Sequence, residues 1–550
     1  MYLKDGIRGG LITFGIILFL NLLGLPLTAE SSIVPIFTVL VGLFALLLLR
    51  SRAGQERSLL NASVNGLLIG IINGIGLVIV TYIFARMQAN AIRVNQVFAQ
   101  ILPEHTGALA GLTKAEVLAG ESIWPGMTKI AVLFAIAGLI GGASIRFFTE
   151  KGRKRMDSIS ASSFGHYTVL ILPLVFFALF LSLRIKGVKI GGAEENILGL
   201  LLIFLFVSAA LFALRAARPG KEQIALSIVF LILLVAIPQL TDLFQNAVLG
   251  AVAIFVVMGV GLNVVVGYAG LLNLGYVAFF GIGAYTFGLL SAPESYVLVT
   301  LPAFNGVTFW IGLPIAILVG VITGILLVIP VLRMRGDYLA IVTLGFGEII
   351  RLLLLNLRDY TGGPGGVLNI PSPIVFGVDL GNPKGILYLG IIFSGIVAFI
   401  TIRLRDSRLG RSWIALREDE DVAQAMGINL VAVKLLAFAT GAAFAAGAGA
   451  LYASRQVNIF PDNFSLLVSI DVLCLIIIGG LGSIEGIVLG SIALIGLPEI
   501  LRSVNEYRIV AFGALLVLMM ILRPEGLLPS VRHQRELRGE EMTKPVTSSD

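Results

Sequence analysis

The sequence predicts an all-α polytopic membrane protein with about 16 transmembrane helices, within a range of 14 to 17, and with both termini in the cytoplasm. Three observations carry that reading. Hydrophobic residues make up 57% of the 550 and charged residues only 13%, where a soluble domain carries about 25% charged. Mean hydropathy is +0.99, too apolar to coat a water-soluble particle of this size. Apolar stretches of about 20 residues, the length that crosses a hydrocarbon core of about 30 Å, recur along the chain.

Taken in order, the candidate spans lie at 8–26, 33–49, 62–85, 127–145, 167–183, 197–214, 224–240 and 247–266. They continue at 274–290, 309–330, 338–356, 386–402, 431–452, 464–480, 486–501 and 508–522. Segments 274–290 and 338–356, among those that are short, glycine-rich or barely separated, suit re-entrant hairpins as well as full spans. The first segment follows Lys4 and Arg8 as a signal peptide would. Its apolar run is longer than the usual 7–15 residues, however, and no A-x-A site follows, so a retained helix is expected.

Alternate connections differ in charge. Lys4, Arg8, Arg50, Arg52, Arg57, the cluster 146–155, Arg215, Arg218, Lys221, Arg333, Arg335, the cluster 403–417 and the tail from Arg523 fall on one side. That side carries about twice as many lysines and arginines as the other, which places it in the cytoplasm and puts Trp124 and Trp310 at the outer interface. The net charge of +7 therefore belongs to topology and does not imply nucleic-acid binding. The single cysteine, Cys474, allows no internal disulfide, and the three histidines are far apart, so no metal-ligand cluster is expected.

Two textures divide the chain. Residues 1–240 form an N-terminal transmembrane extension of about seven helices, with an outer stretch at 87–126 and a basic loop at 147–166. Residues 241–530 are denser in glycine and carry the motifs, and 531–550 form a cytoplasmic tail. No G-x-x-x-x-G-K-[ST] sequence occurs, so the chain has no Walker loop for a nucleotide phosphate. Small residues recur at helical spacing at Gly66, Gly70 and Gly74, at Gly320 and Gly324, at Ala437, Gly441, Ala445 and Gly449, and at Gly486 and Gly490. In lipid such stripes let backbones approach closely, so they predict tight helix packing and say nothing of cargo.

The most informative cytoplasmic segment is 403–430, long enough for two short helices. Asp419 is placed to cap the second, Val422, Ala425 and Met426 would share one face, Gly427 would end it, and Asn429 would cap the next span. Two readings fit: a docking ridge for a cytoplasmic partner, or a solvated charge run against the membrane. Within the spans, Asn263, Asn273, Thr343, Glu348 and Asp471 are polar at or near membrane depth, where an ionisable group costs at least ~2.5–3.5 kcal/mol at a helix centre. Gly267, Gly270 and Gly275 around Asn273 suggest a broken helix whose freed backbone must line a cavity or be covered. These five residues are candidates for a translocation pathway, with a helix-tying role as the alternative. Arg351 stands three residues beyond Glu348, the spacing of a helical ion pair.

The run Gly410-Arg411-x-x-x-Ala415-Leu416-Arg417-Glu418-x-Glu420-x-x-Ala423-x-x-Met426-Gly427-Ile428 resembles the ATPase-coupling loop of branched-chain amino-acid ABC importer permeases, specifically the M-type subunit of the Liv family. Other runs agree in order: 261–275, Gly281-Ile-Gly283-Ala-Tyr285, 336–348, Thr361-Gly-Gly-Pro364, 479–486 and Arg523-Pro-Glu-Gly526. The resemblance covers about 241–530 and implies a permease for branched-chain amino acids, or related amino acids or amides, and not an enzyme, in the bacterial plasma membrane. By the same resemblance, such a permease is expected to bind no cofactor itself and to work with ABC ATPase subunits that use ATP, a second homologous permease and an extracytoplasmic solute-binding protein. It further implies an ATPase contact formed by Ala415, Leu416, Glu418, Ala423, Met426 and Gly427, with Arg411 and Arg417 orienting the loop. The extension 1–240 is longer than this family usually carries and holds no second copy of the motifs. A self-contained ion-coupled transporter or channel fits the composition alone, but would give segment 403–430 no purpose. A membrane enzyme would need a nucleophile and base or a metal site, for which no pattern is present.

Overall fold

The computed structural model describes residues 163–186, 193–217, 220–300, 306–331, 334, 337–375 and 377–500, together with 71–72, 513 and 526–528. The spans expected at 8–26, 33–49, 62–85, 127–145 and 508–522 lie, apart from isolated residues, outside the described set. The chain divides into two compact units, and nearly all described residues belong to the one formed by 170–500 and 512–550.

Helices α1 (Ser163–Lys186), α2 (Ala193–Ala216) and α3 (Lys221–Leu240) come first. α4 (Leu243–Asn263) runs on into a π-turn at Val264–Tyr268, and irregular backbone separates it from α5 (Tyr276–Ser291). α6 (Phe309–Val331) and α7 (Asp337–Asn356) follow, then a two-stranded antiparallel hairpin of β1 (Ile374–Val375) and β2 (Val378–Asp379). α8 (Pro383–Asp406), the short α9 (Arg408–Glu418) and α10 (Glu420–Ala425), α11 (Leu430–Gln456) and α12 (Leu466–Gly479) come next, and α13 (Ile484–Ser491) runs on through a π-turn at Ile492–Gly496 into the short helix Leu497–Ile500.

Eight helical stretches among the described residues are long and apolar enough to cross a membrane. The segments 274–290 and 338–356, which suited re-entrant hairpins, are helical, as α5 with its continuation to Thr300 and as α7. The apolar parts of α1 and α2 are shorter, at Pro173–Ser182 and Gly199–Arg215.

Among the described residues the predicted small-residue stripes pack helices, while the stripe at Gly66, Gly70 and Gly74 lies outside them. A Cβ on Gly320 would stand 2.4 Å from the Ala446 Cβ, and one on Gly324 2.7 Å from the Ala442 Cβ, so α6 lies hard against α11. On the other side of α11, Cβ atoms on Gly449 and Gly283 would meet the carbonyl oxygens of Phe280 and Ala446 at 2.1 and 2.2 Å. With no apolar driving force between helices in lipid, this close backbone approach is what gains dispersion contact. Aromatic rings close the far end of the same core, with Phe280 5.1 Å from Tyr452 and 5.4 Å from Phe464.

The last helices of the extension join this bundle. Phe177, Phe206 and Phe230 pack α1–α3 together, and the Tyr388 hydroxyl of α8 donates to the Val235 carbonyl of α3 at 3.2 Å. Arg215 of α2 pairs with Glu485 and donates to the Ser483 hydroxyl at 3.3 Å, tying α2 to the start of α13.

At the end of the bundle away from α9 and α10, the connection before the hairpin and the one after α11 are stitched together. Val367 and Ile459 exchange backbone hydrogen bonds of 2.9 and 3.0 Å, and the Ile370 amide donates to the Val457 carbonyl at 2.9 Å. Trp310, expected at the outer interface, donates its indole N–H to the Ile374 carbonyl at 2.8 Å.

Candidate functional site

Segment 403–430 folds as the two short helices its cap residues predict. The Asp419 carboxylate accepts from the amides of Asp421 and Val422, both at 2.9 Å, and so fixes the start of α10. Gly427 takes φ +85° just past its end, a left-handed conformation that a side chain would strain. Asn429 accepts the Ala432 amide at 3.1 Å and caps α11.

Rotation of the pair sorts the predicted contact residues into two groups. Val422 is 58% exposed and Met426 79%, one turn apart, with Glu418, Ala425 and Gly427 exposed around them. Leu416 and Ala423 are 5% and 3% exposed, so they brace the pair from beneath and do not belong to its outer surface. Ala415 is half-buried, and Arg411, exposed, donates to the Asp406 carbonyl at 3.2 Å.

What turns the pair this way is a set of anchors. Trp413 is fully buried, and its indole N–H donates to the Val433 carbonyl in α11 at 3.0 Å. The buried Lys434 ammonium pairs with Glu420. Arg417 donates to the Gly267 carbonyl at 2.8 Å. Sequence reasoning missed Trp413 and the Lys434 pair; a lone tryptophan three residues before Leu416 in an otherwise charged loop was the available signal. A cleft of about 180 Å³ remains between the pair and the bundle, lined by Gly270, Leu271, Met334, Leu339, Arg417 and Lys434 among others.

The five membrane-depth polar residues do not converge on one cavity. Asn263 is fully buried and accepts the Gly482 amide at 2.9 Å, joining α4 to the turn before α13. Asn273, also buried, accepts the Gly275 amide at 3.1 Å. Thr343 donates to the Ala340 carbonyl at 3.0 Å and accepts the Leu274 amide at 3.1 Å, so it fastens the irregular stretch to α7. Asn263 and Thr343 thus tie distant stretches of backbone together, whereas Asn273 closes a local turn. Glu348 and Asp471 lie instead on partly exposed faces of the neighbouring helices α7 and α12. Arg351 reaches both Glu348 oxygens at 3.0 and 3.1 Å, as the spacing predicts, and also the Asp462 carboxylate at 3.2 Å. Asp471 shares its face with the exposed Leu467 and Ile470, and no cation stands beside it among the described residues.

A sequence model of the family described as branched-chain amino acid transport system / permease component matches residues 244–523, just over half of the chain. The chain belongs to this family. Among its relatives, the high-affinity branched-chain amino acid transport system permease protein LivM of Escherichia coli (strain K12) is 42% identical over 436 residues, covering 75% of this chain and 96% of that protein. LivM of Salmonella typhimurium is 44% identical over 308 residues, 52% of this chain and 70% of that protein. The same organism's permease protein LivH is 26% identical over 306 residues, 52% of this chain and 95% of its own. Residues 241–550 are only about 56% of the chain, so a match over 75% reaches at least about 100 residues into the extension. No solved structure matches the chain. Among family permeases, then, this chain shares more with LivM than with LivH over the lengths compared.

Proposed function

We propose that this chain is the LivM-type permease subunit of an ATP-driven importer of branched-chain amino acids in the bacterial plasma membrane. The observation that carries the reading is the exposed Val422–Met426 ridge on a helix pair rigidly anchored to two parts of the permease bundle. A surface that passes on mechanical work needs apolar area to dock and a stiff base beneath it, since a soft loop would absorb the movement. ATP is hydrolysed on separate ATPase subunits that seat against this ridge, with Glu418 and Gly427 at its margin and Arg411 at the membrane side. Leu416 and Ala423 support the contact from within, and Ala415 lies between the two groups.

The relatives named LivH support a second, homologous permease as partner. Cargo comes from an extracytoplasmic binding protein. About 16 helices with both termini in the cytoplasm, and a core at 241–530 following the extension 1–240, complete the proposed architecture. Glu348 and Asp471 supply this subunit's polar wall of the translocation pathway, because a charged face inside the membrane needs water or a second protein over it. Asn263, Asn273 and Thr343 hold that wall in place.

A self-contained ion-coupled transporter is the less favoured reading, as it leaves the ridge without an occupant. Reconstitution decides between them. With both permeases, the ATPases and a loaded binding protein in one vesicle, amino-acid uptake should require ATP, and the loaded binding protein should stimulate hydrolysis. Uptake by this chain alone, with no ATPase present, would show the reading to be wrong.

A further inference from the structure

The α9–α10 pair is gripped on two sides by chemically different anchors. On one side Trp413 and the Glu420–Lys434 pair fix it to the first turns of α11, a long regular helix. On the other side Arg417 reaches the carbonyl of Gly267, inside the π-turn at Val264–Tyr268. Directly beyond that turn lies the irregular backbone that separates α4 from α5. Carbonyls near a helix end lack the usual donor four residues on, so a donor from elsewhere completes them. A guanidinium does so with a charge-assisted bond and a fixed planar geometry.

The fit around this bond is close. Gly270 has φ +70°, and a Cβ there would stand 2.8–3.2 Å from Arg417 Cγ, Cβ and Cα, so the arginine stem lies flat on the turn. Behind Gly267 stands Asn263, whose Oδ1 would be 2.0 Å from a Cβ on that glycine. The same Oδ1 accepts the Gly482 amide at 2.9 Å. Contact is therefore continuous from α9 through Arg417, Gly267 and Asn263 to the turn between α12 and α13.

We propose that Arg417 is a positioning residue that transmits displacement of the α9–α10 pair to the break between α4 and α5, and that Asn263 carries it on to the turn at Gly482. This rests on reading the chain as an ATP-driven permease. A load on Val422 and Met426 turns the pair about its α11 anchor, where the backbone is a stiff helix. At Gly267 the load meets backbone that is not locked in an α-helical ladder, and that is where the bundle yields. Such a link is read as coupling between ATP hydrolysis and uptake.

The test uses the complete transporter in vesicles, with uptake and ATP hydrolysis recorded together for Arg417→Met and Arg417→Lys. Arg417→Met removes the donor and the charge at similar length, whereas Arg417→Lys keeps both. The expected result is that Arg417→Met co-purifies with the ATPases at the wild-type level but moves about tenfold less amino acid per ATP, with Arg417→Lys retaining most of the wild-type ratio. An unchanged ratio in Arg417→Met overturns the proposal. So does its failure to assemble, which makes Arg417 a folding residue, and so does an Arg417→Lys ratio as low as that of Arg417→Met. A wild-type complex without ATP-dependent uptake refutes the underlying function instead, which keeps the two failures apart.

Discussion

Arg417 on α9 and Met426 at the end of α10 face opposite ways, one into the bundle and one away from it. Substitutions at the two should therefore fail differently. Met426→Arg leaves the fold intact, because the side chain is 79% exposed, but puts a charge on the apolar ridge proposed to dock the ATPases. Co-purification of the ATPases should drop about tenfold or more, as loss of a central contact costs about 2 kcal/mol. Glu420 tests the base of the pair. Removing its carboxylate leaves the buried Lys434 ammonium uncompensated, at a cost of about 3–5 kcal/mol. Glu420→Ala should sharply lower the amount of folded protein recovered from membranes, and the double replacement Glu420→Met with Lys434→Met should recover much of it. Recovery no better in the double than in the single variant would show that the ion pair does not set the stability of this corner.

At the scale of the element, short-range chemistry was legible and orientation was not. Asp419, Gly427 and Asn429 mark the ends of α10 and the start of α11, because capping is settled within three residues of sequence. Which face of the pair looks out depends on Trp413 and Lys434 meeting α11, and no local pattern declares that. For this reason Leu416 and Ala423 read like their exposed neighbours Val422 and Met426. The membrane-depth polar residues show the same limit. Asn263 and Thr343 carry the polarity expected of a pathway, yet their partners are Gly482 and Leu274, far away in sequence. Glycine stripes were legible because a 3.6-residue period needs no knowledge of the partner helix. Gly449→Ala would set a methyl 2.1 Å from the Phe280 carbonyl. It should cost about 1–3 kcal/mol by overpacking, read as a lower melting temperature of the purified complex.

For the molecule as a whole, composition and charge placement predicted a bundle of membrane helices, and the described region supplies eight stretches able to cross. Orientation can be read chemically. In a Cys474→Ser background, a cysteine at Met426 should react with a membrane-impermeant thiol reagent only after the cytoplasmic face is opened, and one at Leu368 should react in intact cells. The reverse pattern would invert the proposed topology. The extension's contribution was not legible, since its contacts join residues hundreds of positions apart, as Arg215 and Glu485 do.

The stitched connections at the end of the bundle away from α9 and α10 bear on how the permease opens on that side. The amides of Val367, Ile459 and Ile370, and the Asn369 amide on the Asn458 carboxamide, lock two separate connections into one seam. A seam of four hydrogen bonds does not peel residue by residue, because breaking one gains little freedom while the others hold. The seam therefore moves as a slab and not as a flap, shifting only as the helices beneath carry it with them.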